Sequence, residues 1–390
     1  MIPILFKENE KQFTSNGIGR LSDSTKCTVT EERNGIFELE LTYPIAGIHY
    51  NDIKNDRIIL AYSNDYKKAQ AFRIYKITKP LSGTITVFAE HISYQLNCIP
   101  CKPFSATSCA EAINKIKSNV MADCPFEFYT DKNTEAQLQM VDPVSVRAEL
   151  CGHENSLVDV YGGELEFDNW NVRLTNNRGI DKSDSVVIKY GKNLTDVTQE
   201  ESIAETYTAI FPYFKKDNGN GTFSFVYATD GVLKAKNADK FNFERINIVD
   251  LSSDQSLSSL STTTTVVTDG NSEVSTEARL PTPEEVQKAG EQYLASRDIG
   301  VPAVNLNVSF VALWQTEEYK DIAPLQRVNL CDTVTVRFDK LGVNVKAKVT
   351  KTNYNVLLER YDNIELSTVG DVRSSSLTKT FSDNEKKVEE

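Results

Sequence analysis

The chain has 390 residues, 43 of them basic and 55 acidic, for a net charge of -12, with 40% hydrophobic and 25% charged residues. That length exceeds one hydrophobic core and fits about two to four domains, and the 16 Tyr and 18 Phe mark a folding composition rich in strand formers. The acidic balance excludes a basic surface that would hold nucleic acid, and no run approaches the roughly 18 apolar residues of a membrane-spanning helix.

The opening MIPILFKENEK lacks the basic start and long apolar core of a secretory signal, so a soluble product made in a cytoplasm is expected. Cysteines at 27, 98, 101, 109, 124, 151 and 331 form an odd, irregular set that fits reduced thiols better than a disulfide framework.

Residues 1–97 read as mostly β. Cys27 and Val29 alternate on one arm and Phe37, Leu39, Leu41 and Tyr43 on the other, and Asn34-Gly35 between them predicts a hairpin with a type I′ turn. Short strands are expected at 57–61, 72–77 and 84–89, the spacing of a small barrel or sandwich. Ser108 with Glu111 forms a capping box, and Ala112, Ile113, Ile116 and Val120 predict an amphipathic helix over 109–121. A short helix over 156–161 should stop at Gly162-Gly163, followed by a hairpin turning at Asp168-Asn169.

Strands resume at 186–190, 206–214 and 222–228, with Pro212 expected at an edge or bulge. The Ser/Thr-rich stretch 252–276 reads as a mobile loop or an extended segment that depends on a partner. Thr282-Pro283-Glu284-Glu285 opens a helix with Val286, Ala289, Tyr293 and Leu294 on its apolar face. Pro302 ends it, and extended structure is expected at 306–313, 332–338 and 343–349, turning over 339–342, then at 354–358 and 364–366. A polar tail from about 373 should fray.

Reaction chemistry is scarce. His49, His91 and His153 lie in no metalloprotease or nucleophile-elbow setting, and ordinary surface or core positions account for them. Cys98-Ile99-Pro100-Cys101 stands too far ahead of the helix for a redox pair, and a zinc site would have to recruit Cys109, Cys124 or His91 at an unusual spacing. Two reduced thiols at a domain junction is the simpler reading. Cys151 and His153 are too close in sequence to be read as a nucleophile and base. The pairs Glu31-Glu32, Glu200-Glu201 and Glu317-Glu318 read as solvated charge, since only separation in space makes a glycosidase pair. Gly17-Ile18-Gly19 precedes no helix, so no phosphate loop is expected there. No catalytic, cofactor-binding or metal residue is therefore expected.

Five blocks give the chain a likeness. They are Asn16-Gly17-Ile18-Gly19 with Leu21; Glu31 to Gly35 leading to Glu40 and Tyr43-Pro44; Phe72 to Tyr75 leading to Ala89-Glu90-His91-Ile92-Ser93-Tyr94; Ser156 to Asn169; and Arg178-Gly179 with Tyr190-Gly191-Lys192-Asn193-Leu194. With these, the sequence resembles the phage tail-hub proteins of Gram-positive siphoviruses and prophages, often labelled prophage endopeptidase tail or tail-associated lysin.

The resemblance implies a hub similar to that of contractile-phage baseplates: an α+β, mainly β, multidomain chain with two small β-barrel-like hub domains and an α+β lobe. Three copies would form a ring with a pseudo-sixfold face toward the tail tube. On that pattern residues 1–97 are the first hub domain and 98–190 the lobe. Residues 191–251 with 305–368 form the second, 252–304 are inserted in it, and 369–390 are a flexible tail.

The implied function is a structural tail-tip protein of the virion, a homotrimer that meets the distal tail protein, tail tube and tape-measure protein, and gates DNA on its way into the host. It would touch DNA only in passage and have no membrane anchor, and an acidic bore would let phosphates pass. Longer relatives carry a C-terminal hydrolase or fibre, for which this chain, stopping at Glu390, leaves no room, so no enzymatic activity is expected. The alternatives are a cell-wall-degrading tail endopeptidase, with Cys151 and His153 the residues to test, and a carbohydrate-binding tip module using Trp170 and Trp314.

Overall fold

The computed structural model describes residues 2–81, 83–153, 155–189, 194–202, 206–219, 221–236, 238–252, 254–258, 260–268, 271–295, 299, 303–310, 327–338 and 343–368. The chain is α+β and mainly β, and it divides into two units, residues 1–199 with 305–390, and residues 200–304. This grouping gives 200–304 a unit of its own, where the sequence reading joined 191–251 to 305–368.

In the first unit, inward alternation fuses the two β regions into one sheet of 13 strands among the described residues. Strand Lys26–Glu32 pairs antiparallel with Phe37–Pro44 on one side and with Val343–Asn355 on the other, Val29 facing both Leu39 and Tyr354. The sheet continues through Thr84–His91, Gln70–Thr78, Ile58–Ala61 and Ile4–Phe6 in one direction, and through Arg360–Thr368 in the other. Every second side chain of Phe37–Pro44 is buried, as the sequence pattern requires, so Phe37, Leu39, Leu41 and Tyr43 join one core with Cys27, Val29, Phe72 and Tyr354.

The connection at Asn34 differs from the expected type I′ turn. Glu32 and Ile36 close a three-residue loop, the Glu32 amide donating to the Ile36 carbonyl at 2.7 Å, and Asn34 takes φ 54° while Gly35 stays out of the left-handed region.

The helix Cys109–Asn119 forms where expected. Ser108 Oγ accepts from the Glu111 amide, and Glu111 Oε2 accepts in turn from the Thr107 amide at 2.8 Å. A second helix, Val146–Leu150, was not read from the sequence, while Leu157–Tyr161 ends at Gly162, φ 66°, as predicted. The hairpin Glu164–Asp168 and Asn171–Thr175 turns through Asn169-Trp170, one residue later than expected.

In the second unit, strand Ala209–Asp217 pairs antiparallel with Phe223–Tyr227 and Leu233–Lys234, and parallel with Ile246–Asp250. Pro212 sits inside this strand and tolerates the place because Tyr213–Asp217 pair with Phe223–Tyr227 and only Ala209 and Ile210 with Leu233–Lys234. Helix Pro283–Ala295 carries the full predicted cap, the Glu285 amide donating to Thr282 Oγ1 and the Thr282 amide to Glu285 Oε2. Its Val286 and Ala289 bury against Ile210, Phe214, Val249, Leu251 and Leu257. Gly290 lets it come close: a Cβ there would stand 2.7 Å from Leu233 Cδ1 and 2.9 Å from Pro212 Cγ.

The expected loop 252–276 instead contains a short helix, Gln255–Ser258, and a hairpin, Ser261–Thr268 against Asn271–Ala278. The run of Thr and Val that reads as low complexity is also good strand material. The expected turn at 339–342, the Tyr190–Asn193 part of the last block and the tail 369–390 lie outside the described residues.

Candidate functional site: a charged junction and an aromatic face

Alternation along Lys26–Glu32 turns Cys27 and Val29 inward, and the next inward position is Glu31, a carboxylate in the core. A buried ion without a partner costs several kcal/mol. Arg178 supplies the partner, its Nη2 donating to Glu31 Oε1 at 2.6 Å. Burial pulls the Arg178 pKa down, and Glu31 more than reverses that.

Glu164, also buried, accepts from Arg33 Nε at 2.9 Å, from Lys348 Nζ at 2.6 Å and from the Arg178 amide at 2.6 Å. Burial alone would raise its carboxyl; Lys348, the Arg178 amide and Arg33 outweigh that and hold it below the usual value. Lys67 pairs with Glu166 in the same way. Asn34 closes the gap between the two hairpins, its Nδ2 donating to the Gly163 carbonyl at 3.0 Å and its Oδ1 accepting from the Leu165 amide at 2.7 Å.

Arg147 completes the junction. Its guanidinium lies 4.1 Å from the Tyr94 ring centre and 4.8 Å from that of Phe167, and it donates to Ser93 Oγ and the Gly35 carbonyl. His91 stacks on Phe37 and contacts Ser93 Oγ and Gln70 Oε1. Burial, then Arg147 and Arg178, push its pKa well below the usual imidazole value, so it stays neutral. The second to fifth blocks therefore meet in one buried network, and the first serves the same sheet. A Cβ on Gly17 would stand 2.4 Å from the Leu5 carbonyl oxygen, and the Ile18 amide donates to that oxygen. At Gly179 a Cβ would lie 2.1 Å from the Cys331 carbonyl carbon, so only glycine passes there.

The chemistry-bearing residues go to separate places. Cys151 Sγ turns to the Asn34 carbonyl at 3.7 Å, and burial pushes its thiol up to about 11, the wrong direction for a nucleophile. His153 Nε2 stands 3.7 Å from Oε2 of Glu149, whose buried carboxyl has no hydrogen bond and is pushed up to about 8 by desolvation. Cys98 is exposed and Cys101 buried, and no group of three or more His, Cys, Asp or Glu among the described residues is placed to hold a metal. Among those residues, too, no helix is long and apolar enough to cross a membrane. Glu31 is not solvated, contrary to expectation, and Glu32 meets Lys351 at 2.8 Å. The Glu200 and Glu201 side chains, Glu317-Glu318 and Trp314 lie outside the described residues. Trp170 packs on Phe126 and donates Nε1 to the Lys11 carbonyl, so it clamps a loop instead of lying open for a sugar.

Sequence reasoning missed a second feature, on the 200–304 unit. Phe223, Phe225 and Tyr227 share the outer face of their strand, with Ile246 and Ile248 on the parallel strand and Phe211 and Tyr213 between them. The inner face carries the core around helix Pro283–Ala295. The signal was the aromatic at every second position of FSFVY, but Val226 makes both faces apolar, and only the helix decides which one is covered.

No family model matches the chain, and no curated protein matches it in sequence. Solved structures do match along nearly its whole length. A prophage tail protein gp18 from Listeria monocytogenes EGD-e covers 99% of this chain and 100% of its own at 13% identity and a TM-score of 0.58. A 43 kDa tail protein of prophage MuSo2 from Shewanella oneidensis covers 95% and 98% at 13% identity and 0.56. A tail protein from Neisseria meningitidis MC58 covers 95% and 97% at 8% identity and 0.54. At these identities the likeness is one of fold.

Proposed function

We propose that this chain is a structural hub of a bacteriophage or prophage tail tip. The observation that carries the reading is the shared fold with three tail proteins over nearly the full length of every chain. The buried junction supports it, because the residues that gave the sequence its family likeness are spent on joining sheet to hairpin and none is left facing a substrate.

In this reading three copies form a ring that binds the distal tail protein and tail tube on one side and the end of the tape-measure protein within, and gates DNA passage. The chain is assembled in the bacterial cytoplasm and ends in the virion. Its acidic balance suits a conduit that phosphates must leave as easily as they enter. No hydrolytic step is assigned to it.

The test is the mass of the purified chain in solution with its shape by electron microscopy. A ring of three with an acidic bore is expected, and a basic bore would overturn the account of the charge. Incubation with peptidoglycan separates the hub from a cell-wall peptidase. Release of peptides, lost on Cys151→Ala or His153→Ala, would replace the structural reading with an enzymatic one.

A further inference from the structure

The outer face of the Ala209–Asp217 sheet has no cover within the chain. Phe223, Phe225, Tyr227, Ile246 and Ile248 are each 42–70% exposed, side by side across three strands. An aromatic side chain carries roughly 150–250 Å² of surface, so the five leave on the order of 500 Å² open before the half-buried Phe211 and Tyr213 are counted. That matches the largest apolar patch of a typical monomer, roughly 300–600 Å², and is most of the roughly 800 Å² that one partner contributes to a stable interface. Scattered exposed residues need no explanation, but a ladder of this size on one sheet face does.

Charge selects the occupant. The chain as a whole carries -12, so two copies repel unless they meet at a place where the sign is relieved. This face offers such a place. Lys215, in register with Phe225, lays its ammonium 3.9 Å from the Phe223 ring centre, and Arg245 lies 4.8 Å from that of Phe243 at the entry to the neighbouring strand. The carboxylates at its border are Asp217 and Asp250. An apolar centre with cations seated on its rings fits a partner whose surface is rich in carboxylates, and a second copy of this chain is one.

We propose that this aromatic face is a self-docking surface, on which a second copy of the chain seats an acidic surface in a head-to-tail contact. Such heterologous contacts close into rings when the rotation allows. The inference rests on the ring reading for the number of copies, and it adds the surface through which they join.

The experiment is sedimentation of the full-length chain over a range of concentrations, with Phe225→Lys, Ile248→Lys and Lys215→Glu beside the parent and Leu81→Lys, a fully exposed position in the other unit, as control. Circular dichroism melts check that each variant folds. The parent and Leu81→Lys are expected to associate, with Phe225→Lys and Ile248→Lys raising the dissociation constant at least 100-fold and Lys215→Glu about 10-fold. Unchanged association of folded Phe225→Lys and Ile248→Lys overturns the proposed surface while leaving the ring intact. A parent that stays monomeric at every concentration also overturns self-docking here. The ring reading fails separately, if tails containing the chain hold it in a number other than three.

Discussion

The junction around Glu164 and the outer face of the Ala209–Asp217 sheet break the usual rule of burial in opposite senses. At the first, Glu31, Glu164, Arg147 and Arg178 are charged and buried; at the second, three aromatic and two isoleucine side chains stand open. The junction tolerates its charges because each is met by an opposite charge, a backbone group or a ring within contact distance. The sheet face has no such settlement inside the chain. One region is thus finished by folding, and the other still has surface to bury.

The largest effect expected from that contrast is at Arg178. Arg178→Ala leaves Glu31 buried without its partner and should cost about 3–5 kcal/mol, read as a lower urea midpoint for the full chain. A loss under about 1 kcal/mol would mean that water reaches the junction and the contrast is false. Asn34→Ala removes both side-chain bonds to the second hairpin and a residue suited to φ 54°, with an expected loss of about 2 kcal/mol. Asn34→Gly, which keeps the backbone freedom, should recover only a fraction of it; full recovery would assign the effect to the turn instead of the junction.

Two carboxyls in the first unit sharpen the comparison through pH. Glu164 has a lowered pKa when folded, so its contribution is present above the unfolded value of roughly 4.3 and is lost as pH falls through the folded one. Glu149 is the reverse. Its folded value of about 8 lies above the unfolded one, so the folded chain holds the extra proton and stability falls as pH rises between them. Glu149→Gln should therefore stabilise the chain by roughly 1–3 kcal/mol at pH 8.5 and change little at pH 4, as read from urea midpoints at the two pH values. Stabilisation of equal size at both would show that burial of the charge is not its cause.

The smallest effect belongs to the aromatic face. At concentrations where the chain is monomeric, Phe225→Lys should shift the melting free energy by no more than about 0.5 kcal/mol, because an exposed ring has little folded contact to lose. A loss above about 2 kcal/mol would make the face part of the fold and remove the contrast.

Local patterns were legible wherever the physics is local. The alternation of Phe37 to Tyr43, the Ser108 and Thr282 caps and the stop at Gly162 all rest on contacts within a few residues, and they appear as read. The turn at Asn34 was misread because its geometry answers to Gly163 and Leu165, well over a hundred residues away. The hairpin over 261–278 was missed because hydropathy alone gave no core to order it.

The sequence by itself determined that this is a strand-rich, acidic, multi-unit chain poor in reactive groups, and its blocks pointed to a tail hub. Only the tertiary structure decided what those blocks do. Glu31 keeps the inward phase of its strand in the sequence, but whether such a glutamate is a flaw, a site or a joint depends on what stands across from it, and Arg178 comes from 147 residues away. Likewise FSFVY offers two apolar faces to the reader, and helix Pro283–Ala295 covers one and leaves the aromatic one open. Pairing and covering are long-range events, and no local pattern encodes them.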